Sequence, residues 1–161
     1  MVMPKKLVPV AEIPRLTNEV STDNAVAVFK KFSNLQAVCL REKGVGLCAV
    51  QVGLEDRMFV VRKPDDEFRY FINAKYTPVG DDKFTSCEGC LSLPGRAFLV
   101  PRHRAVRVVG TEMLVGEGIT FQEVDFEESD PVYTAVFQHE IDHCYGIMID
   151  EVGREVRVRS A

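Results

Sequence analysis

Asp130-Pro131-Val132-Tyr133-Thr134-Ala135-Val136-Phe137-Gln138-His139-Glu140-Ile141-Asp142-His143-Cys144-Tyr145-Gly146 is the stretch that decides the architecture. It reads as a helix with both ends marked. Ser129 or Asp130 caps it, Glu127 and Glu128 lie near its positive end, and Pro131 takes the first helical position, where no amide hydrogen is needed. Gly146 stops it after about Tyr145. Within it, His139 and His143 stand one turn apart on a single face. Two imidazoles so placed can grip one metal ion. Glu140 flanks that ion without ligating it, the position of a general base toward solvent at an open coordination site. The alternative is two solvated histidines on a polar face. The chain has three histidines, and two at ligand spacing around a glutamate favour the metal.

A third ligand is needed, and Cys87 and Cys90 are the candidates. Their spacing fits half of a closed two-Cys, two-His zinc site, a redox pair, or one ligand beside an open coordination position. Roughly 50 residues separate Cys90 from His139, against ~12–15 in small zinc fingers. A closed site also has no use for Glu140. Both points favour a hydrolase over a structural module. Val132, Ala135 and Val136 precede His139 on the same side of the helix; they wall a pocket beside the metal or are plain core, and spacing alone favours core.

The rest of the chain supplies the scaffold. Ser21, Thr22 and Asp23 offer N-caps for a helix running to about Arg41–Lys43, with apolar positions at Val26, Phe29, Phe32, Ala37 and Leu40, and Val28, Leu35 and Val38 alongside. Gly44 sits where its C-cap is expected. Strands are expected at 57–61, 68–72, 105–109 and 119–124, with part of 152–158 as a further one, and Pro78-Val79-Gly80-Asp81-Asp82 is turn chemistry. The fold class is α+β, with small, mostly antiparallel sheets packed around the late helix. Residues 1–161 are expected to form a single catalytic domain with a short C-terminal tail.

Composition sets the outer limits. Among 161 residues, 46% are hydrophobic and 27% charged, and the net charge is −4. That is ordinary for a folded domain and leaves no surplus of cations for phosphate backbones, so direct nucleic-acid binding is not expected. No apolar run reaches the ~20 residues of a membrane span. The stretch Leu7-Val8-Pro9-Val10 is too short for a signal segment, and five cysteines are an odd number for a disulfide framework, which together imply the cytoplasm. Cys39 reads as buried packing.

Three segments in order carry a resemblance: Gly44-Val45-Gly46-Leu47-Cys48-Ala49-Val50-Gln51, Glu88-Gly89-Cys90-Leu91-Ser92 and Gln138-His139-Glu140-Ile141-Asp142-His143. They resemble the three motifs of peptide deformylase, G-x-G-x-A-A-x-Q, E-G-C-L-S and Q-H-E-x-D-H. The first alone is weak and the third is shared with zinc proteases; the ordered set is specific. Cys48 departs from the first motif, and Cys144 stands where the family usually has leucine.

The resemblance implies a metal-dependent hydrolase that removes the formyl group from the formyl-methionine of new polypeptides. By motif position Cys90, His139 and His143 would be the ligands of one divalent ion, Fe²⁺ in the cell, with Zn²⁺, Ni²⁺ or Co²⁺ able to replace it. Glu140 would move the proton, while the side-chain amide of Gln51 and the backbone N–H of Leu91 would face the oxyanion. Gly46 and Gly89 would lie against the peptide, and Gly46 would let its backbone approach closely. Val45, Val132, Ala135 and Val136 would line the methionine pocket. A Glu88–Arg102 ion pair would hold the Cys90 loop, and Arg96 would touch the peptide chain. The sequence ends 18 residues past His143, short of the long C-terminal helix through which some bacterial members bind the ribosome. The expected partner is therefore a formyl-methionyl peptide, with ribosome proximity but not through that helix.

Overall fold

A computed structural model describes residues 6–158. The first long element is α1, Ala25–Arg41. Its cap is Asn24, whose side chain accepts from the Ala27 N–H at 3.1 Å, rather than Ser21, Thr22 or Asp23. At the other end the expected glycine cap is displaced by one residue. Lys43 holds the left-handed backbone (φ 58), its N–H bonds the Leu40 carbonyl, and the Gly44 N–H bonds the Cys39 carbonyl. This is a Schellman closure with lysine in the strained position. The buried face also differs from expectation. Val28, Phe32, Leu35, Val38 and Cys39 turn inward while Val26, Phe29 and Leu40 stay exposed.

Strands β1 (Gly46–Cys48), β2 (Met58–Arg62) and β3 (Phe68–Pro78) follow, then β4 (Lys83–Cys90), β5 (Leu93–His103), β6 (Val106–Val115) and β7 (Ile119–Glu128). Helix α2 spans Pro131–Cys144, and the short α3 (Ile149–Val152) leads into β8 (Arg154–Val156). Five strands form one sheet in the order β1-β2-β3-β6-β7, and three form another in the order β4-β5-β8. Every pairing within them is antiparallel. The α+β class read from the sequence holds. Several strands are longer than their apolar patterns suggested. In β3 the register shifts between Ile72 and Lys75, and a bulge breaks the alternation from which a strand is read. The segment around Cys90 is the end of a strand, not a loop: Cys90 pairs with Leu93.

Helix α2 packs between the sheets. Phe137 sits edge-on to Phe71 and Phe126 at 5.2 and 5.4 Å between ring centroids, and Phe59 stacks on Phe71 at 5.3 Å. Burial of each such ring stabilises by about 1.5–3 kcal/mol. A second cluster, with Phe32, Leu35, Leu47, Met58 and Ile72, fills the space between α1 and the five-stranded sheet. Asp130 caps α2 by accepting from the Val132 and Tyr133 amides, with Pro131 at the first turn. Gln138 ties the helix to β5: its Oε1 accepts from the His103 N–H and its Nε2 donates to the His103 carbonyl, each at 3.0 Å. The helix is thereby held along its length, and its histidine face is fixed against the end of β4.

Candidate functional site

One donor atom each of Cys90, His139 and His143 lie within 4.8 Å of one another, and all three residues are buried. Cys90 comes from the end of β4 and the histidines from α2. The Cys90 Sγ is 3.6 Å from His143 Nε2. Each imidazole is held from behind. His139 Nδ1 is 2.9 Å from Glu88 Oε1, and His143 Nδ1 is 3.0 Å from the Ile147 carbonyl. A carboxylate and a carbonyl only accept, so both Nδ1 atoms carry the proton and both Nε2 lone pairs face the cluster.

Burial, then the neighbouring His139, holds His143 well below its ordinary pKa, so the ring is neutral. The Cys90 thiol is pushed up to about 12, chiefly by burial. Two neutral imidazoles and a thiol that ionises when a cation replaces its lost solvation are a donor set for one divalent ion. Cys87 is exposed and lies outside this group, which removes the closed two-Cys, two-His arrangement.

Glu140 lies beside the donors, with Oε1 3.8 Å from His139 Nε2 and 3.9 Å from His143 Nε2. Its Oε2 is buried and has no hydrogen-bond partner among the described residues. Burial first, then Cys48 and Glu88, raises its pKa well above the usual carboxylate range, and Arg102 opposes this. A carboxyl so raised is suited to carrying a proton near neutrality.

Behind the donors runs a charged relay. Arg102 grips both oxygens of Glu88 at 2.7 and 2.8 Å, and its remaining arm reaches Asp142 Oδ2 at 2.8 Å. The Tyr76 hydroxyl donates to Asp142 Oδ1, also at 2.8 Å. Burial alone would raise Glu88, but the hydrogen bonds from Arg102 and His139 outweigh it and hold the carboxyl at about 2. The Glu88–Arg102 pair thus bears on His139 as well as on the strand that carries Cys90. Sequence reasoning missed the links to His139, Asp142 and Tyr76, whose partners lie far apart along the chain.

The cluster opens onto a cleft of about 770 Å³. Val45, Gly46, Gly89, Leu91, Val132, Ala135 and Val136 all border it, as do Gln51, Cys90, His139 and Glu140. Gln51 is built into the wall: its Oε1 accepts from the Cys48 N–H at 2.9 Å, and its Nε2 is 3.0 Å from Ser92 Oγ and 3.5 Å from Cys90 Sγ. Gly46 has a reason the sequence did not disclose. A Cβ there would stand 3.1 Å from Glu140 Cγ and 3.1 Å from the Val60 carbonyl oxygen. Arg96 borders the cleft while paired with Glu155 of β8 at 3.0 Å.

A family model described as "Polypeptide deformylase" matches residues 8–157. A "Peptide deformylase" of Parafrankia sp. is 36% identical over 115 residues, 71% of this chain and 59% of that protein. One from Desulforudis audaxviator is 36% identical over 71% of this chain and 70% of its own length. Among solved structures, the peptide deformylase from Thermus thermophilus is similar with a TM-score of 0.75 and 30% identity, over 94% of this chain and 85% of that one. A class I type b peptide deformylase from Acinetobacter baumannii gives a TM-score of 0.77 and 25% identity, over 93% and 98%.

Proposed function

The chain belongs to the peptide deformylase family, and from that premise we propose that it hydrolyses the N-formyl group from formyl-methionyl peptides. The observation that carries this reading is the convergence of Cys90, His139 and His143 beside the unpartnered buried carboxyl of Glu140. Cys90 Sγ and the two Nε2 atoms would hold one divalent ion, Fe²⁺ by family resemblance, with Zn²⁺, Ni²⁺ or Co²⁺ able to substitute. Such an ion supplies Lewis acidity, acidifying water and polarising a carbonyl.

The chain's own groups do the rest. Glu140 takes the proton of the attacking water and later delivers it to the departing amine. The tetrahedral oxyanion is met by Gln51 Nε2 and the Leu91 N–H; loss of one such donor typically costs ~10²–10³ in rate. Glu88 keeps the proton of His139 on Nδ1 and so the lone pair of Nε2 forward. Val45, Val132, Ala135 and Val136 take the methionine side chain, and Gly46 and Gly89 line the path of the peptide. Residues 1–161 act as one catalytic domain.

The substrate class, a nascent peptide, brings the enzyme near the ribosome. Five free cysteines support a cytoplasmic setting. Among the described residues no helix is long and apolar enough to cross a membrane.

Formate release from a formyl-Met peptide tests the reading. Glu140→Gln is expected to reduce kcat by about 10²–10⁴-fold while one metal ion per chain is retained. Undiminished turnover in that variant, or no formate from the wild-type metal-loaded protein, overturns it.

A further inference from the structure

Two contacts fix the register between β4 and α2. Cys90 meets His143 at 3.6 Å, and Glu88, two residues earlier, meets His139, four residues earlier, at 2.9 Å. Ser86, two residues before Glu88, and Ala135, four residues before His139, both line the cleft. Strand β4 is regular there: Ser86 pairs with Val100 and Glu88 with Phe98, and the irregularity falls beyond Glu88. Ser86 therefore presents its side chain on the same face as Glu88.

Ser86 and Ala135 are both buried, and both border the cleft beside Val45, Leu91, Val132 and Val136. The Ser86 hydroxyl has no hydrogen-bond partner among the described residues. In the open cleft it is within reach of solvent water. A side chain that fills the pocket expels that water, and a buried hydroxyl without a partner is costly. Only an occupant carrying an acceptor restores the lost bond.

We propose that Ser86 is a specificity-determining residue whose hydroxyl donates to a heteroatom in the first side chain of the substrate: the thioether sulfur of methionine and, more strongly, the oxygen of methionine sulfoxide. This rests on the deformylase reading and extends it, since an apolar pocket alone would not separate methionine from its isostere norleucine. Oxidised formyl-methionine peptides then remain substrates.

The test compares kcat/KM of the metal-loaded protein on formyl-Met-Ala, formyl-norleucine-Ala and formyl-methionine-sulfoxide-Ala. Ser86→Ala is expected to lower methionine relative to norleucine about 2–3-fold, and the sulfoxide relative to norleucine about tenfold, through KM. Ser86→Thr, which keeps the hydroxyl, retains the wild-type order. Unchanged ratios in Ser86→Ala, or equal losses in both variants, overturn the proposal. Absence of formate with every peptide would instead strike the deformylase reading. In that case calorimetric affinities of unformylated Met-Ala and norleucine-Ala, compared between wild type and Ser86→Ala, still decide for or against the hydroxyl.

Discussion

Gly46 lies close against Glu140: its missing Cβ would fall 3.1 Å from the Glu140 side chain and from the Val60 carbonyl oxygen, so a neighbour would have to give by a few tenths of an ångström. The Val60 carbonyl belongs to a paired strand and cannot retreat, so the carboxylate must. Gly46→Ala is expected to lower kcat by about tenfold, less than the ~10²-fold penalty of a full 1 Å misplacement, because the carboxylate need shift only slightly. Metal content measured by elemental analysis should stay at the wild-type level, because Gly46 is not one of the three grouped donors. The sequence reading assigned this glycine to the substrate; the structure adds that it also lies close against Glu140. The grouped donors were legible because His139 and His143 announce themselves by spacing. The link of Glu88 to His139 and the roles of Ser92 and Tyr76 were not, because a hydrogen bond to a partner tens of residues away leaves no local pattern. Ser86 was silent for the same reason, since only long-range strand pairing places it at the cleft.

At the scale of elements, α2 was readable because its signals agree: Asp130 caps, Pro131 starts, the period runs to Tyr145 and Gly146 turns with φ 78. Asp130→Ala is expected to cost about 1 kcal/mol, seen as a lower urea midpoint with unchanged slope. Helix α1 was readable in extent but not in rotation, because its apolar residues nearly encircle it and only packing chooses Phe32 and Leu35 over Phe29 and Leu40. Strands β4 and β5 were hidden. Cys87 to Gly95 is crowded with cysteine, glycine and proline, which speak for turns, yet Lys83–Cys90 pairs with Leu93–His103 as a hairpin. Long-range pairing overrode local preference there.

Over the whole molecule, the grouped donors join the three-stranded sheet, through Cys90, to the helix that packs on the five-stranded one. An ion held by both is a clamp between layers. Chelation in a thermal-unfolding scan is expected to lower Tm by roughly 10 °C, from about 4 kcal/mol of linkage at ligand concentrations near 1,000 Kd. An unchanged Tm would remove the ion from the stability of the fold. The cysteines divide just as sharply: Cys39, Cys48, Cys90 and Cys144 are buried, while Cys87 stands exposed on β4. A maleimide reagent should therefore add one adduct per native chain by mass spectrometry and five after denaturation. A fluorophore on that single thiol would report from the rim of the cleft without disturbing the core.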